Sequence, residues 1–136
     1  MQLNPYLFFN GDCAAAFKVY EQLLGGKVEA MLPHAGTPAE TAVPKEWREK
    51  IIHGSMTVGD TVLMASDAPP GRYSAPQGFS VSLQVKTPAE AERIFQGLAE
   101  GGKVTMPLEK TFFAARFGML TDRFGIPWMI NCAAAS

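Results

Sequence analysis

Charged residues and cysteines are both scarce in this chain, and each scarcity excludes a class of function. Charged side chains make up 18% of the 136 residues, the formal net charge is −1, and no basic run is present. A face that binds nucleic acid needs clustered Lys and Arg, so we expect no nucleic-acid partner. Cys13 and Cys132 are the only two cysteines and form no CxxC pair, which predicts a cytoplasmic protein with reduced thiols.

Long apolar runs are also missing. No stretch approaches the ~20 apolar residues that a membrane-spanning helix needs. The start of the chain, MQLNPYLFFNGD, lacks the basic and apolar regions of a signal peptide, so we expect no membrane partner. Hydrophobic residues nevertheless make up 47% of the chain, which favours a folded globular protein over a disordered one.

An internal repeat is the clearest positive feature of the sequence. Gly25-Gly26-Lys27-Val28 recurs as Gly101-Gly102-Lys103-Val104, and at the same offset a first predicted helix falls on a second. Repetition of a pattern at a fixed offset indicates duplicated structural units. We therefore predict two modules, about 1–70 and about 76–133, in a single domain with a shared core, because neither is long enough to build a good core by itself.

Each module is predicted to contain one strand, one helix and three further strands. Apolar residues at helical spacing predict the helices, with Asp12 as N-cap of the first and a Thr87-Pro88-Ala89-Glu90 capping box at the second. Alternation and turn residues predict the strands. Their predicted bounds are Met1–Phe9, Lys27–Leu32, Ile51–Val58, Thr61–Ser66, Phe79–Val85, Lys103–Met106, Phe112–Ala115 with Met119–Thr121 after a break at Gly118, and Ile126–Asn131.

The segment from Pro33 to Glu49 interrupts the first module. It is polar, carries three prolines, and begins with a Thr37-Pro38-Ala39-Glu40 capping box that predicts a short helical turn. A long excursion between strands is usually a mobile lid or an arm that faces a partner, and both alternatives stay open here.

Four segments resemble the PhnB-like branch of the vicinal-oxygen-chelate superfamily, which includes glyoxalase I, bleomycin-resistance proteins and extradiol dioxygenases. They are Asn4–Gly11, Ile52–Met56, Leu63–Asp67 and Phe117–Asn131. The resemblance covers nearly the whole chain and implies an α+β fold of two tandem βαβββ modules, in which the strands of each module form a half-open trough. It also implies a homodimer and a divalent metal held by His, Glu or Gln from both modules.

The residues at the expected metal positions do not match that ligand set. The candidates are Asn4, Pro5 and Tyr6 in the first strand, Met64 to Ser66 in the fourth, Phe79, Ser80 and Val81 in the fifth, and Trp128, Met129 and Ile130 in the last. None is His, Glu or Gln, whereas a site needs three or four ligands. We therefore expect either no cofactor or an unknown divalent metal in a non-standard site.

The methyltransferase label that the branch often carries, 3-demethylubiquinone-9 3-methyltransferase, finds no support in the sequence. Both Gly-Gly pairs follow helices, whereas a site for a methyl donor needs a glycine-rich turn between a strand and a helix. We therefore expect no methyltransferase activity.

His53 and Asp67 are the candidate catalytic residues. His53 could act as a general base or a lone metal ligand, because histidine exchanges a proton near neutral pH, or it could be a structural histidine bonded across the sheet. Asp67 could pair with His53, hold a hydroxyl group of a ligand, or cap the turn that follows it. His34 is expected at the surface, Asp122 is expected to form a turn, and the cysteines are expected to be small buried residues.

Aromatic residues supply the candidate ligand contacts. Alternation along a strand sends half of its side chains to each face of a sheet, so some aromatics line the trough and others form the core. We predict that Tyr6, Phe112 and Trp128 line the trough. Two functions stay open: binding of a small apolar or planar molecule without the standard metal, or metal-dependent catalysis that uses His53.

Overall fold

The chain forms two compact units of the same architecture. The computed structural model describes residues 1–134, and these divide into Met1–Ser74 and a second unit that begins at Ala75. Each unit contains one four-stranded mixed sheet with one long α-helix. The predicted α+β fold of two βαβββ modules is confirmed. No helix in the described part of the chain is long and apolar enough to cross a membrane.

Unit 1 is built from four strands, one α-helix and two short 3₁₀ turns. In chain order these are β1 (Tyr6–Phe9), α1 (Cys13–Leu24), β2 (Lys27–Pro33), the turns Glu40–Ala42 and Lys45–Trp47, β3 (Ile51–Val58) and β4 (Thr61–Asp67). The strand order is β1-β4-β3-β2, with β1 parallel to β4 and the other pairs antiparallel. The first strand is shorter than predicted, because Met1 to Pro5 precede its pairing with β4.

Unit 2 repeats this topology. Its elements are β5 (Val81–Val85), α2 (Pro88–Ala99), β6 (Lys103–Glu109), β7 (Ala114–Thr121) and β8 (Pro127–Ala133), and the strand order is β5-β8-β7-β6. β5 is parallel to β8, as β1 is to β4. The equal strand orders confirm that the sequence repeat is a structural duplication.

One face of each sheet packs on its own helix, and this face is the core of the unit. In unit 1 the rings of Phe9, Phe17 and Tyr20 are fully buried, with Phe9 6.4 Å from Phe17 and 6.5 Å from Tyr20 between centroids. In unit 2, Ile94 and Phe95 of α2 are buried, as are Trp128 and Ile130 of β8. We call the other side of each sheet its open face.

The repeated Gly-Gly pairs have the same two roles in both units. Gly25 (φ 68°) and Gly101 (φ 74°) adopt the left-handed conformation that ends a helix, which glycine reaches without steric cost. A Cβ on Gly26 would come within 2.7 Å of the carbonyl oxygen of Thr57, and one on Gly102 would collide with that of Thr121. The first glycine therefore turns the chain, and the second lets the next strand approach its neighbour.

The predicted break at Gly118 is wrong, because β7 runs through it without interruption. A Cβ at this position would lie 2.7 Å from the ring of Phe95 and 2.9 Å from the Cα of Leu108. Gly118 is therefore a point of close contact between β7, α2 and β6 and not a strand end.

Candidate functional site

The open face of unit 1 exposes two aromatic rings side by side. Tyr6 and Phe8 alternate with the buried Leu7 and Phe9 along β1, and they are 36% and 54% exposed. Their ring centroids are 5.2 Å apart. Apolar side chains that are exposed in a group mark binding surfaces more often than single ones do.

His53 joins this aromatic pair from across the sheet. Its Nδ1 lies 3.4 Å from the Tyr6 hydroxyl oxygen, and the two rings are 5.9 Å apart with 32° between their planes. β4 lies between the two strands, and its register pairs Ser66 with Phe8 and Ala65 with Gly54, the residue after His53. We call Tyr6, Phe8 and His53 the aromatic cluster.

The Asp67 carboxylate is bonded to three backbone amides and not to His53. Oδ1 accepts from the amide of Gly11 at 2.9 Å and that of Cys13 at 3.0 Å, while Oδ2 accepts from Ile51 at 2.8 Å. Asp67 is 3% exposed. It therefore joins the start of α1, the start of β3 and the end of β4, and the predicted pairing with His53 is not found.

This arrangement also corrects the prediction for the start of α1. The side chain of Asp12 makes no capping hydrogen bond, and the first turn is capped by Asp67, which lies far away in sequence. One Asp67 oxygen accepts from the amides on both sides of Asp12, so these two amides are satisfied without the side chain of the local residue.

The Cys13 thiol is held in its neutral form. Burial raises its pKa, the nearby Asp67 and Asp12 carboxylates raise it further, and the result is a pKa of about 12. A thiolate is the nucleophilic form of cysteine, so a raised pKa makes Cys13 inert despite its position at the start of a helix. This agrees with the expected role of a small buried residue.

The raised pKa predicts a specific loss of stability in alkaline solution. The unfolded thiol loses its proton near pH 9.0, whereas the folded thiol keeps it to about pH 12. The stabilisation is therefore complete below pH 9 and lost as the pH rises to about 12, with a slope of about 1.4 kcal/mol per pH unit. We expect the free energy of unfolding of Cys13→Ala, measured in urea, to lack this decrease with rising pH. Cys132→Ala, which removes another buried thiol, is the matched control, and an unchanged slope in Cys13→Ala would contradict the assignment.

Trp128 and Phe112 occupy places other than the predicted trough wall. Trp128 is 1% exposed, and its indole N–H donates to Asp122 Oδ2 at 2.9 Å, so its ring belongs to the core of unit 2. Phe112 precedes β7, is fully exposed, and packs edge-on against Phe113 with 5.1 Å between ring centroids. Tyr6 is thus the one predicted ligand contact that lies on an open face.

Asp122 forms the predicted turn and does more. Its Oδ1 accepts from the amides of Phe124 at 2.9 Å and Ile126 at 3.0 Å, which fixes the connection between β7 and β8. Because Oδ2 accepts from Trp128, the same carboxylate anchors the turn and orients the largest side chain of the core.

His34 is buried, so its predicted exposure is wrong. It is 4% exposed, and its Nδ1–H donates to the carbonyl oxygen of Lys50 at 2.8 Å. The backbone amides of His34 and Ala35 also donate to Lys50 and Arg48, at 2.9 and 2.7 Å. These bonds join the two ends of segment 34–50 to each other.

A metal site of the type implied by the superfamily does not fit the residues that are present. No group of three His, Cys, Asp or Glu side chains comes together anywhere in residues 1–134. On the open faces, β1 presents Tyr6 and Phe8, and β5 presents Ser82 and Gln84. Of these four residues, only Gln84 is of a type that binds metals in the superfamily. We therefore derive no chemical step through a metal.

The sequence interpretation missed Gln84, and it counted Phe8 among the aromatic residues that could line a pocket without selecting it as a ligand contact. Both lie between buried or half-buried apolar neighbours on short strands, Phe8 between Leu7 and Phe9 and Gln84 between Leu83 and Val85. Strict alternation would have assigned both to the open faces. Because the fifth strand was predicted to start at Phe79, the metal-ligand candidates there were Phe79, Ser80 and Val81, and the first two precede β5.

A groove of about 390 Å³ lies on unit 2 between α2 and β6. Its walls include the apolar Phe95, Val104 and Leu108, and its charged member is Glu92, which already pairs with Arg116 at 3.3 Å. The groove therefore brings together no set of groups that could perform acid–base chemistry.

Comparison with known proteins agrees with this architecture. The Glyoxalase/Bleomycin resistance protein/Dioxygenase superfamily matches residues 2–130, and the chain belongs to this superfamily. Protein YjdN from Escherichia coli (strain K12) is 33% identical over 96% of this chain and 95% of its own length.

Two solved structures extend the comparison. The protein PA1353 from Pseudomonas aeruginosa is 53% identical, with a TM-score of 0.89 over 98% of both chains. The PhnB protein from Bacillus cereus shares the fold at 21% identity, with a TM-score of 0.83 over 98% of this chain and 100% of its own. The fold shared with this protein agrees with the α+β fold that the sequence resemblance implies.

Proposed function

We propose that this protein binds a small apolar or planar molecule on the aromatic cluster of unit 1, without the metal site that the superfamily implies. The observation that carries the proposal is the exposed contact of Tyr6 with Phe8 and His53 on one sheet face. Rings at these distances can contact a flat ligand through their edges and faces. Each such aromatic pair contributes about 0.5–1.5 kcal/mol. The Tyr6–His53 hydrogen bond holds two of these rings in place before a ligand arrives.

The polar atoms of the cluster can fix the orientation of such a ligand. The imidazole Nε2 of His53 makes no hydrogen bond to any of residues 1–134, and Ser66 pairs with Phe8 in the sheet register. A few polar groups within an apolar surface are the usual means by which a binding site orients its ligand.

A planar fluorescent probe tests this proposal. We expect 1-anilinonaphthalene-8-sulfonate to bind the native protein, and Tyr6→Ser and Phe8→Ser each to raise its Kd up to roughly tenfold, as the loss of about 1.4 kcal/mol implies. Phe112→Ser is the matched control, because it removes an aromatic ring that is fully exposed but lies off the sheet. Equal Kd values for Phe8→Ser and the wild type, or a loss in Phe112→Ser alone, would refute the assignment.

A second candidate function is catalysis of proton transfer by His53. The Tyr6–His53 hydrogen bond favours it, because a partner on one ring nitrogen leaves the other available as an acid or base. His53→Ala discriminates between the candidates. Probe binding that occurs without metal, and that is weakened but not lost in His53→Ala, supports the binding function. Stoichiometric zinc, iron or manganese in the purified protein that is lost in His53→Ala supports a metal-dependent enzyme. The predicted homodimer and cytoplasmic location stay predictions.

A further inference from the structure

Three neutral polar side chains form a hydrogen-bonded row on the open face of unit 2. The amide of Asn131 on β8 donates from Nδ2 to Gln84 Oε1 on β5 at 2.7 Å, and Gln84 Nε2 donates to Ser82 Oγ at 3.0 Å. The register of β5 and β8 pairs Gln84 directly with Asn131. We call these residues the amide row.

The amide row keeps bonding capacity after its internal bonds are made. A primary amide offers two N–H donors and one carbonyl oxygen. Asn131 uses one N–H for Gln84 and makes no other side-chain hydrogen bond within residues 1–134, so its oxygen and second N–H stay available. Because Ser82 Oγ accepts from Gln84, its own hydrogen is free to donate outward.

Soft apolar side chains surround the amide row. The register places Met129 beside Ser82, Met119 beside Met129, and Phe117 beside Asn131. Thioether groups make favourable contacts with aromatic rings and adapt to their shape. No charged side chain lies among these six residues, and the charged residue nearest to them in the register is Glu109 of β6, which pairs with Phe117. The surface therefore offers neutral hydrogen bonds within a polarisable apolar border that has one carboxylate at its edge.

We propose that the open face of unit 2 binds a neutral, planar heteroaromatic ring that carries a donor and an acceptor side by side, as in a lactam. The oxygen and free N–H of Asn131 complement a ring N–H and its adjacent carbonyl oxygen, while Met119, Met129 and Phe117 contact the ring itself. An anionic ligand finds no counter-charge among these residues or at Glu109. The proposal goes beyond the binding function of unit 1 and stands on different residues.

Two matched probes test this inference by NMR titration of the native protein. Quinolin-2(1H)-one carries the lactam edge, and N-methylquinolin-2-one has the same ring without the N–H donor. We expect the first to bind at least roughly tenfold more tightly, because a missing partner costs about 1–3 kcal/mol when polar groups become buried. The methyl signals of Met119 and Met129 should shift on binding.

Variants locate the effect. Asn131→Leu and Gln84→Leu should abolish the preference for the lactam, whereas Gln96→Leu, which removes an exposed glutamine of α2, should preserve it. Equal Kd values for the two probes in the wild type, or an unchanged preference in Asn131→Leu, would overturn the proposal. Tyr6→Ser should leave the ratio of the two Kd values unchanged, so failure here is distinct from failure of the proposed function of unit 1.

Discussion

Asp67→Ala is expected to destabilise unit 1 by about 5 kcal/mol, near the lower end of the sum of three charged hydrogen bonds. The substitution removes the acceptor of three amide hydrogen bonds, from Gly11, Cys13 and Ile51. Hydrogen bonds to a charged group contribute about 1.5–3 kcal/mol each, and a buried amide that loses its partner is not rehydrated without opening the structure. Urea unfolding followed by circular dichroism measures the change in the free energy of unfolding.

A matched control separates this effect from the loss of a negative charge. Asp60 lies in the exposed turn between β3 and β4, so Asp60→Ala should change the free energy of unfolding by less than about 0.5 kcal/mol. The free energy of unfolding of Asp67→Asn should lie between those of Asp67→Ala and Asp60→Ala. The asparagine amide keeps one oxygen acceptor but turns an N–H toward a backbone donor. If Asp67→Ala unfolds like Asp60→Ala, the three-amide contact is not a source of stability.

Trp128→Ala should have a comparable effect on unit 2, about 3–5 kcal/mol. The ring is 1% exposed, so its removal leaves a large cavity, and it also takes the indole donor away from the buried Asp122 carboxylate. Trp128→Phe retains most of the apolar contact and isolates the loss of the hydrogen bond. The free energies of unfolding of both variants, measured in urea, report the two contributions.

Phe112→Ala is the control for aromatic residues in this unit. Its ring is fully exposed, and the substitution should change the free energy of unfolding by less than about 0.5 kcal/mol. Equal destabilisation by Phe112→Ala and Trp128→Ala would contradict the different placements of the two rings.

The duplicated fold could be predicted from the sequence because its signals are local. Alternating apolar residues, the helical faces and the Gly-Gly pairs each depend on neighbours within a few positions. The capping box at Thr87 is an example, since its side chain accepts from the amide of Glu90 at 3.1 Å as the pattern implies. Such features depend little on the rest of the chain.

The roles of Asp67 and His34 could not be predicted in the same way. Asp67 bonds to amides 16 to 56 positions earlier in the sequence, and no local pattern encodes those contacts. A polar loop around His34 suggested exposure, but its burial depends on the Lys50 carbonyl that closes the loop. Side-chain partners that come together only through tertiary structure leave no periodic signal.

The candidate site could be predicted only in part, because some of its contacts also form only through tertiary structure. Tyr6 and His53 were identified by residue type and strand position, and the structure brings them together on one face. Trp128 was assigned to the wrong face of β8, because an aromatic residue suits either side of a sheet. Its neighbours Pro127 and Met129 are less buried than Trp128, so Trp128 lies on the buried face of β8. This assignment can be made only once the fold is known.

The two units differ most in the connection between their second and third strands. Residues 34–50 join β2 to β3 in unit 1, whereas residues 110–113 join β6 to β7 in unit 2. Because the longer connection leaves and re-enters the sheet through the backbone bonds of His34 and Ala35, its two ends lie close together. A change in its length does not shift the register of the strands it joins. The duplicated units can therefore diverge at this position, by insertion or deletion, while both keep the same sheet.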